Sequence, residues 1–401
     1  MTDTGLFFDF LLASGWDIAP VLPPVDFVEY WSAAREHLRG GDPYDGDALL
    51  PWQRLASGDP DKASATMLWT PPWTLPLYWP FGSLPPNLGH AGWLVIQLGC
   101  LLLGIFWLSS VYLPEYRRGV RLAFTVLMAV AFAPSWWMVN FGQNTGFILL
   151  GLAGFLRFRQ SGRPGVAGGF AALTAIKPHL LALFGVVLIL DAIRPAGRRT
   201  LAVGVAMLVV FGLVTLLPNP QVYADFLAAV RRPPTATSTP LWQWQLPSFS
   251  YWFRVTVEQR FASESPGAWF SLQFLPCLLG MIAVFPYYWR RQETWDWTRE
   301  TPRLVLASVL LAPYGSWIFD LTVLAVPLIQ AAGWLFASKK LLPTFIWLVL
   351  VVLLSLATAY RPWVVMLHDL YWYAPLLLGF WFLAAIISRD SGKVSVTQAT
   401  S

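Results

Sequence analysis

Charge is what this chain has least of. Asp, Glu, Lys and Arg together make 12% of its 401 residues, while 56% are hydrophobic. A soluble globule carries roughly a quarter of its residues charged. A chain this poor in charge cannot cover a folded surface of that size with water-compatible side chains, which excludes the soluble-enzyme, disordered and coiled-coil classes together. Cysteine is nearly absent: Cys100 and Cys277 both lie inside apolar runs, so neither a disulfide framework nor a cysteine metal cluster is available. Histidine is scarce as well, and His37 and His90 are too isolated to form a metal site. Asp42, Asp45 and Asp47 are spaced in a turn without further ligands and read as solvated carboxylates. No metal or other cofactor is expected. The N-terminus lacks a basic n-region and a small-residue cleavage site, so residues 5–22, which contain Asp9 and Asp17, read as a marginal first helix rather than a signal peptide.

What the chain has in excess is apolar length and tryptophan. Its 23 Trp fit a bilayer, where amphipathic rings collect at the water boundary. Apolar runs occur at about 88–112, 119–139, 144–157, 164–177, 179–193, 200–217, 267–289, 303–318, 319–337, 341–360 and 370–388. Several fall short of the ~20 residues a full crossing needs. The short ones come in pairs broken at polar points: Asn140 to Asn144, Lys177-Pro178, and Ser316 to Asp320. Broken helices at membrane depth are tolerated only where their ends line protein or a watery cavity. The expected fold is therefore all-α and polytopic, a bundle of about 11–12 transmembrane helices in one domain over 1–388, with a polar tail at 389–401.

Seventeen of the 27 Lys and Arg residues, from Arg117 to Lys393, fall in alternate short connections, which the positive-inside rule makes cytoplasmic. The other side then carries two long segments, 23–87 and 218–266, and a short one at 361–369. Nothing in the arrangement of basic residues points to a nucleic-acid partner.

The first outer segment has its own pattern. Over residues 26–41, Phe27, Tyr30, Trp31, Ala34 and Leu38 share one helical face, Glu29, Arg35, Glu36 and Arg39 the other, and Gly40-Gly41 stops the helix. Such a helix is expected in the interface plane. Asp26 with Glu29 three residues later fits a capping box. It also fits a general base at the membrane surface, and the two roles are compatible. The Pro-rich stretch 68–86 is expected to dip along the outer leaflet.

Taken in order, these pieces resemble glycosyltransferase family 87, the polyprenyl-phosphate-mannose-dependent mannosyltransferases and their bacterial relatives of GT-C architecture. The resemblance rests on Asp26 through Tyr44, with Asp26-Phe27, Tyr30-Trp31 and Asp42-Pro43-Tyr44 inside it. Further matches are Trp69-Thr70-Pro71-Pro72, Gly142-Gln143-Asn144, Ala167-Gly168 with Lys177-Pro178, and Ala312-Pro313-Tyr314 with Asp320. The chain departs from the family pattern at residues 5–22, at Thr70 and at Phe319. The resemblance implies sugar transfer, most readily of mannose, from a polyprenyl-phosphate-linked donor to a glycolipid or glycan acceptor at the outer face of a bacterial-type plasma membrane. The reaction would be inverting and independent of a nucleotide sugar.

The remaining polar residues each carry two readings. Lys177 either snorkels to the interface or holds the phosphate of a lipid donor, with His179 as helper or as a wall residue. Asp320 either caps a broken span, pairs with Lys177, or binds an acceptor hydroxyl. Asn140, Gln143 and Asn144 either satisfy a tight turn or bind sugar hydroxyls, and Tyr44 joins them as a substrate-binding candidate. Gly165 and Gly169 form a small-residue pair suited to helix packing. Arg231, Arg232 and Arg361 are solvated loop charges or meet lipid phosphate. The rival function is a lipid-linked-sugar flippase or other transporter, in which broken helices bind substrate at the midplane. No self-similarity between the halves supports that class.

Overall fold

In the computed structural model, which describes residues 26–231, 245–261, 269–360 and 367–389, each apolar run carries a helix and no strand occurs among the described residues. The reason is solvent: in hydrocarbon a backbone N–H or C=O has no water to turn to, so each segment satisfies its own hydrogen bonds. The expected first helix at residues 5–22 and the tail beyond Arg389 lie outside the described residues. Among the described residues six helices are long and apolar enough to cross a membrane: Pro86–Tyr112, Pro195–Thr215, Phe270–Trp289, Asp320–Ala337, Leu341–Thr358 and Leu370–Ser388. Two further pairs pass only as bent units, Arg118–Ala131 with Ala133–Phe141 at 66° and Pro164–Ile176 with Pro178–Ile193 at 118°. This is an all-α integral membrane protein with broken helices, as the apolar runs predict. Length and hydropathy alone give six crossings, or eight if each bent pair is one. The runs at 144–157 and 303–318 form shorter helices, Thr145–Gln160 and Trp297–Leu311.

The chain divides into two compact units. The first comprises residues 1–98, 139–143 and 205–244. Its described part is built on helix α1 (Phe27–Leu38), α2 (Gly46–Ser57) and α3 (Leu75–Gly82). Phe27, Tyr30, Trp31, Tyr44, Tyr78 and Trp93 are all essentially sealed from solvent. Aromatic side chains bury about 150–250 Å² each, so, beside buried Leu49, Leu68 and Leu75, this cluster is a large part of the unit's core. Their polar edges are satisfied: Trp31 Nε1 donates to the Leu84 carbonyl at 3.0 Å and Trp52 Nε1 to Glu36 Oε2 at 2.7 Å.

Helix α1 forms where its periodicity places it, but it is not half-exposed. Arg35, on the expected polar face, is buried, and so are Ser32 and His37. The Arg35 guanidinium stacks over the Trp31 and Trp52 rings at 5.0 and 5.1 Å and donates to the Gly82 carbonyl at 3.0 Å. Aromatic faces and a helix end thus replace water around the charge. Burial draws its pKa down to about 10, leaving it protonated.

The second unit comprises residues 99–138, 144–204 and 245–401. Its centre is the helix over Asp320–Ala337, 78% buried over its apolar window although its length and composition suit a crossing. Close packing of α-helices here relies on glycine, at positions other than the expected pair. A Cβ at Gly151 would stand 2.8 Å from the Phe170 carbonyl, whereas one at Gly169 would meet nothing within 4 Å and one at Gly165 only ordinary contact. Gly151, Gly154 and Gly168 are the close-approach positions; spacing alone could not distinguish them from Gly165 and Gly169.

Candidate functional site

In the first unit the chain enters α1 through Asp26. Its backbone is helical, φ −65° and ψ −15°, and its side chain makes no capping bond. The capping box anticipated from Asp26 and Glu29 is therefore not formed. The carboxylate is drawn instead to the Gly142-Gln143 turn: Gln143 Nε2 donates to Asp26 Oδ2 at 2.6 Å, and Gln143 Oε1 accepts from the Tyr30 hydroxyl at 2.9 Å. Tyr30 is held by rings, 4.8 Å from Tyr78 and 5.3 Å from Trp93 between centroids. Burial, reinforced by Glu29, raises the Tyr30 pKa well above its usual value, so its hydroxyl remains a donor.

Gly142 makes this arrangement possible. Its φ is +64°, and a Cβ there would lie 2.9 Å from the Phe27 Cβ. Only glycine combines that backbone with that approach. Its carbonyl accepts from Trp93 Nε1 at 2.6 Å, fixing the turn from the other side.

Tyr44 is not brought into this network directly. It is wholly buried, its hydroxyl donates to the Thr70 carbonyl at 3.0 Å, and its ring meets Phe226 edge-on at 5.1 Å. Asp42 accepts from the Tyr44 backbone at 2.8 Å and Asp45 caps α2, so both act locally in the turn. Asn140 is exposed and Asn144 fully buried at the start of helix α7 (Thr145–Gln160).

The second unit assembles a different cluster. Lys177 stands at the break before Pro178 with φ −128° and ψ 74°, since the residue ahead of proline is forced out of helical geometry. Its ammonium lies 2.6 Å from Asp320 Oδ1 in an ion pair, with side chains 12% and 1% exposed. Thr145 Oγ1 donates to the same oxygen at 3.2 Å. The ammonium also sits 5.4 Å above the Phe319 ring. Asp320 opens a short 3₁₀ turn without capping it, and its carboxylate pairs with Lys177. His179 packs edge-on against Tyr314 at 5.1 Å, with a buried Nε2 that has no hydrogen-bond partner.

Between helix α14 (Trp297–Leu311) and Asp320 the chain makes two consecutive left-handed residues, Gly315 at φ +74° and Ser316 at φ +61°. A left-handed serine is strained, and such strain gathers at functional turns. A Cβ at Gly315 would stand 3.1 Å from His179 Nε2 and 3.2 Å from Asp320 Oδ2, so both groups face one bare backbone carbon.

Thr145 escaped the sequence reading because a threonine opening an apolar helix resembles any other; its one signal is its place directly after Gly-Gln-Asn. Gln143 and Thr145 flank Asn144, and each donates to a carboxylate, Gln143 to Asp26 and Thr145 to Asp320. The second unit also holds an apolar pocket of about 350 Å³ lined by residues that include Phe249, Trp252, Leu310 and Tyr371. Among known proteins, the family model of glycosyltransferase family 87 matches residues 69–313. No curated protein and no solved structure matches the chain.

Proposed function

Because the chain belongs to glycosyltransferase family 87, and is therefore a membrane glycosyltransferase, we propose that it transfers a hexose or pentose, mannose foremost, from a polyprenyl-phosphate donor. The acceptor is a glycolipid or glycan at the outer face of a bacterial-type plasma membrane. The observation that carries this reading is the unlike treatment of two carboxylates: Asp26 accepts from the neutral amide of Gln143, whereas Asp320 is ion-paired with Lys177. The Gln143 amide orients the Asp26 carboxylate, which can take a hydroxyl proton, while the Asp320 carboxylate is bound to the Lys177 ammonium.

In the proposed step the acceptor hydroxyl oxygen attacks the anomeric carbon as the bond from that carbon to the phosphate oxygen breaks. The bond's electrons leave with the polyprenyl phosphate, the hydroxyl proton passes to Asp26, and the anomeric configuration inverts. Lys177 meets the charge that grows on the departing phosphate, and His179 is a second donor beside it. A preorganised cation is worth most where water is excluded. Asp320, which also accepts from Thr145, holds Lys177 until a phosphate competes for it. Asn140, Gln143 and Asn144 offer amides to sugar hydroxyls, and Tyr44 shapes the segment that carries Asp26. The apolar pocket has the chemistry a prenyl chain requires.

The test is sugar transfer from a labelled polyprenyl-phosphate sugar in proteoliposomes, comparing the native chain with Asp26→Asn. Loss of general-base catalysis lowers the rate about a hundred- to ten-thousandfold. Undiminished transfer by a correctly folded variant would sink the assignment of Asp26. Lipid translocation without a glycosidic product would favour a flippase.

A further inference from the structure

The arginine-rich end of the second unit has a feature that sugar transfer does not use. Between Asn144 and Pro218 the sequence holds six arginines, at 157, 159, 163, 194, 198 and 199, against one carboxylate, Asp191. That carboxylate is fully buried and already committed. It accepts from Arg159 at 2.9 Å, Trp297 Nε1 at 3.0 Å and the Tyr288 hydroxyl at 3.1 Å, with Arg194 at 3.6 Å. Arg157, Arg163, Arg198 and Arg199 therefore have no carboxylate partner among the described residues.

Two of the four line a cavity. Arg157, Phe158, Gln160, Ser161 and Arg163 line an open hollow of about 460 Å³ where α7 ends. The geometry comes from a helix-terminating turn: Gly162 takes φ +71°, the Arg163 N–H donates to the Phe158 carbonyl at 2.8 Å, and the Gly162 N–H donates to the Arg159 carbonyl at 3.2 Å. The turn folds the chain back so that Arg157 and Arg163 line one hollow. Arg157 is steadied by donating to Ser110 Oγ at 2.7 Å. The aliphatic stem of Arg199 comes within 4.0 Å of where a Gly165 Cβ would stand, on the helix that follows Arg163.

We propose that this cavity binds the phosphate of an anionic membrane lipid. Guanidinium forks match phosphate oxygens two at a time, and basic pockets among membrane helices on the positive side suit anionic headgroups. Apolar neighbours favour a lipid over a soluble anion: Val166, three residues after Arg163, and Ile193, beside Arg194, are 46% and 55% exposed. Both are exposed apolar side chains close in sequence to these arginines.

The experiment is native mass spectrometry of the full chain purified in a neutral detergent, titrated with phosphatidylglycerol or with phosphatidylcholine. The native chain should retain phosphatidylglycerol in preference, and Arg157→Gln with Arg163→Gln should weaken that retention roughly 30-fold. Arg117→Gln with Arg118→Gln, exposed residues on another arginine-rich turn, should leave it unchanged. Millimolar inorganic phosphate should not displace the lipid. Equal loss in both double variants would reduce the site to general attraction, and no loss in the first would abolish it. Displacement by inorganic phosphate would make it a site for a free anion and overturn the lipid assignment. If the glutamine pair does not fold, Arg157→Lys with Arg163→Lys keeps the charge but removes the forks; retention should then weaken several-fold, and native-like retention overturns the proposal.

Discussion

Asp26 and Asp320 are both acidic groups set beside apolar helices, and the protein treats them in opposite ways. Asp26 leans on a neutral amide that is itself held by a neutral hydroxyl. Asp320 is almost completely buried and closed by an ammonium and a hydroxyl on one oxygen. A buried ion pair contributes little net stability, yet removing one partner strands a charge and costs several kcal/mol. The Gln143 amide instead orients the Asp26 carboxylate through a single neutral donor. Under the proposed function, the difference suits proton chemistry at the first and charge-holding at the second. It also implies that variants at the two positions fail differently.

The sharpest break is to neutralise each in turn. Asp26→Asn should lower transfer about a hundred- to ten-thousandfold while the thermal unfolding midpoint in detergent stays near native. Asp320→Asn should instead destabilise the second unit by about 3–5 kcal/mol, because Lys177 is left without its counter-charge. Replacing both members, Lys177→Met with Asp320→Leu, should restore much of that stability without restoring transfer. If Asp26→Asn proves the unstable variant and Asp320→Asn merely the inactive one, the two roles are exchanged.

Much of this pair was legible in the sequence, because charge is so scarce that Asp26, Lys177 and Asp320 stand out at helix breaks. Even the Lys177–Asp320 pairing was among the readings open to Asp320. What could not be read was the partner of Asp26. A capping box and an outward carboxylate share the same local pattern, and Gln143 competes from a position 117 residues away. Helix α1 shows the same limit. Its apolar stripe predicted its existence and its ends, but an arginine on the polar face says nothing of the Trp52 ring that takes it out of water. Burial of a charge depends on tertiary neighbours, and periodicity reports only the helix's own faces.

Smaller changes probe the supports rather than the acids. Tyr30→Phe removes the hydroxyl that orients Gln143 and should cost about 1 kcal/mol. Its effect on transfer should exceed what that loss of stability explains, since the Gln143 amide then no longer holds Asp26 in one orientation. On the other side, Gly315→Ala places a methyl 3.1 Å from His179 Nε2 on a backbone with φ +74°. The left-handed penalty of about 1–2 kcal/mol should appear in thermal unfolding, together with a weaker hold on the donor read as a raised KM.

The smallest expected effect is a pH dependence in the first unit. His37, in the first unit, is fully buried, and its Nδ1 accepts from Trp79 Nε1 at 3.0 Å, which requires an unprotonated nitrogen. Burial lowers its pKa from 6.5 to about 4, against a weaker opposing pull from the Thr215 backbone. Above pH 6.5 the ring is neutral in the folded and the unfolded chain alike, and stability is indifferent to it. As pH falls from 6.5 towards 4 the unfolded chain takes up the proton and the folded one does not, so stability declines through that window. The loss should be about 1 kcal/mol near pH 5.5. His37→Gln, which keeps an acceptor for Trp79, should flatten that part of the profile, measured as the unfolding midpoint against pH. The difference between variant and native chain isolates this group from the carboxylates, which titrate in both. A variant profile parallel to the native one would mean that acid sensitivity in this window arises elsewhere than at His37.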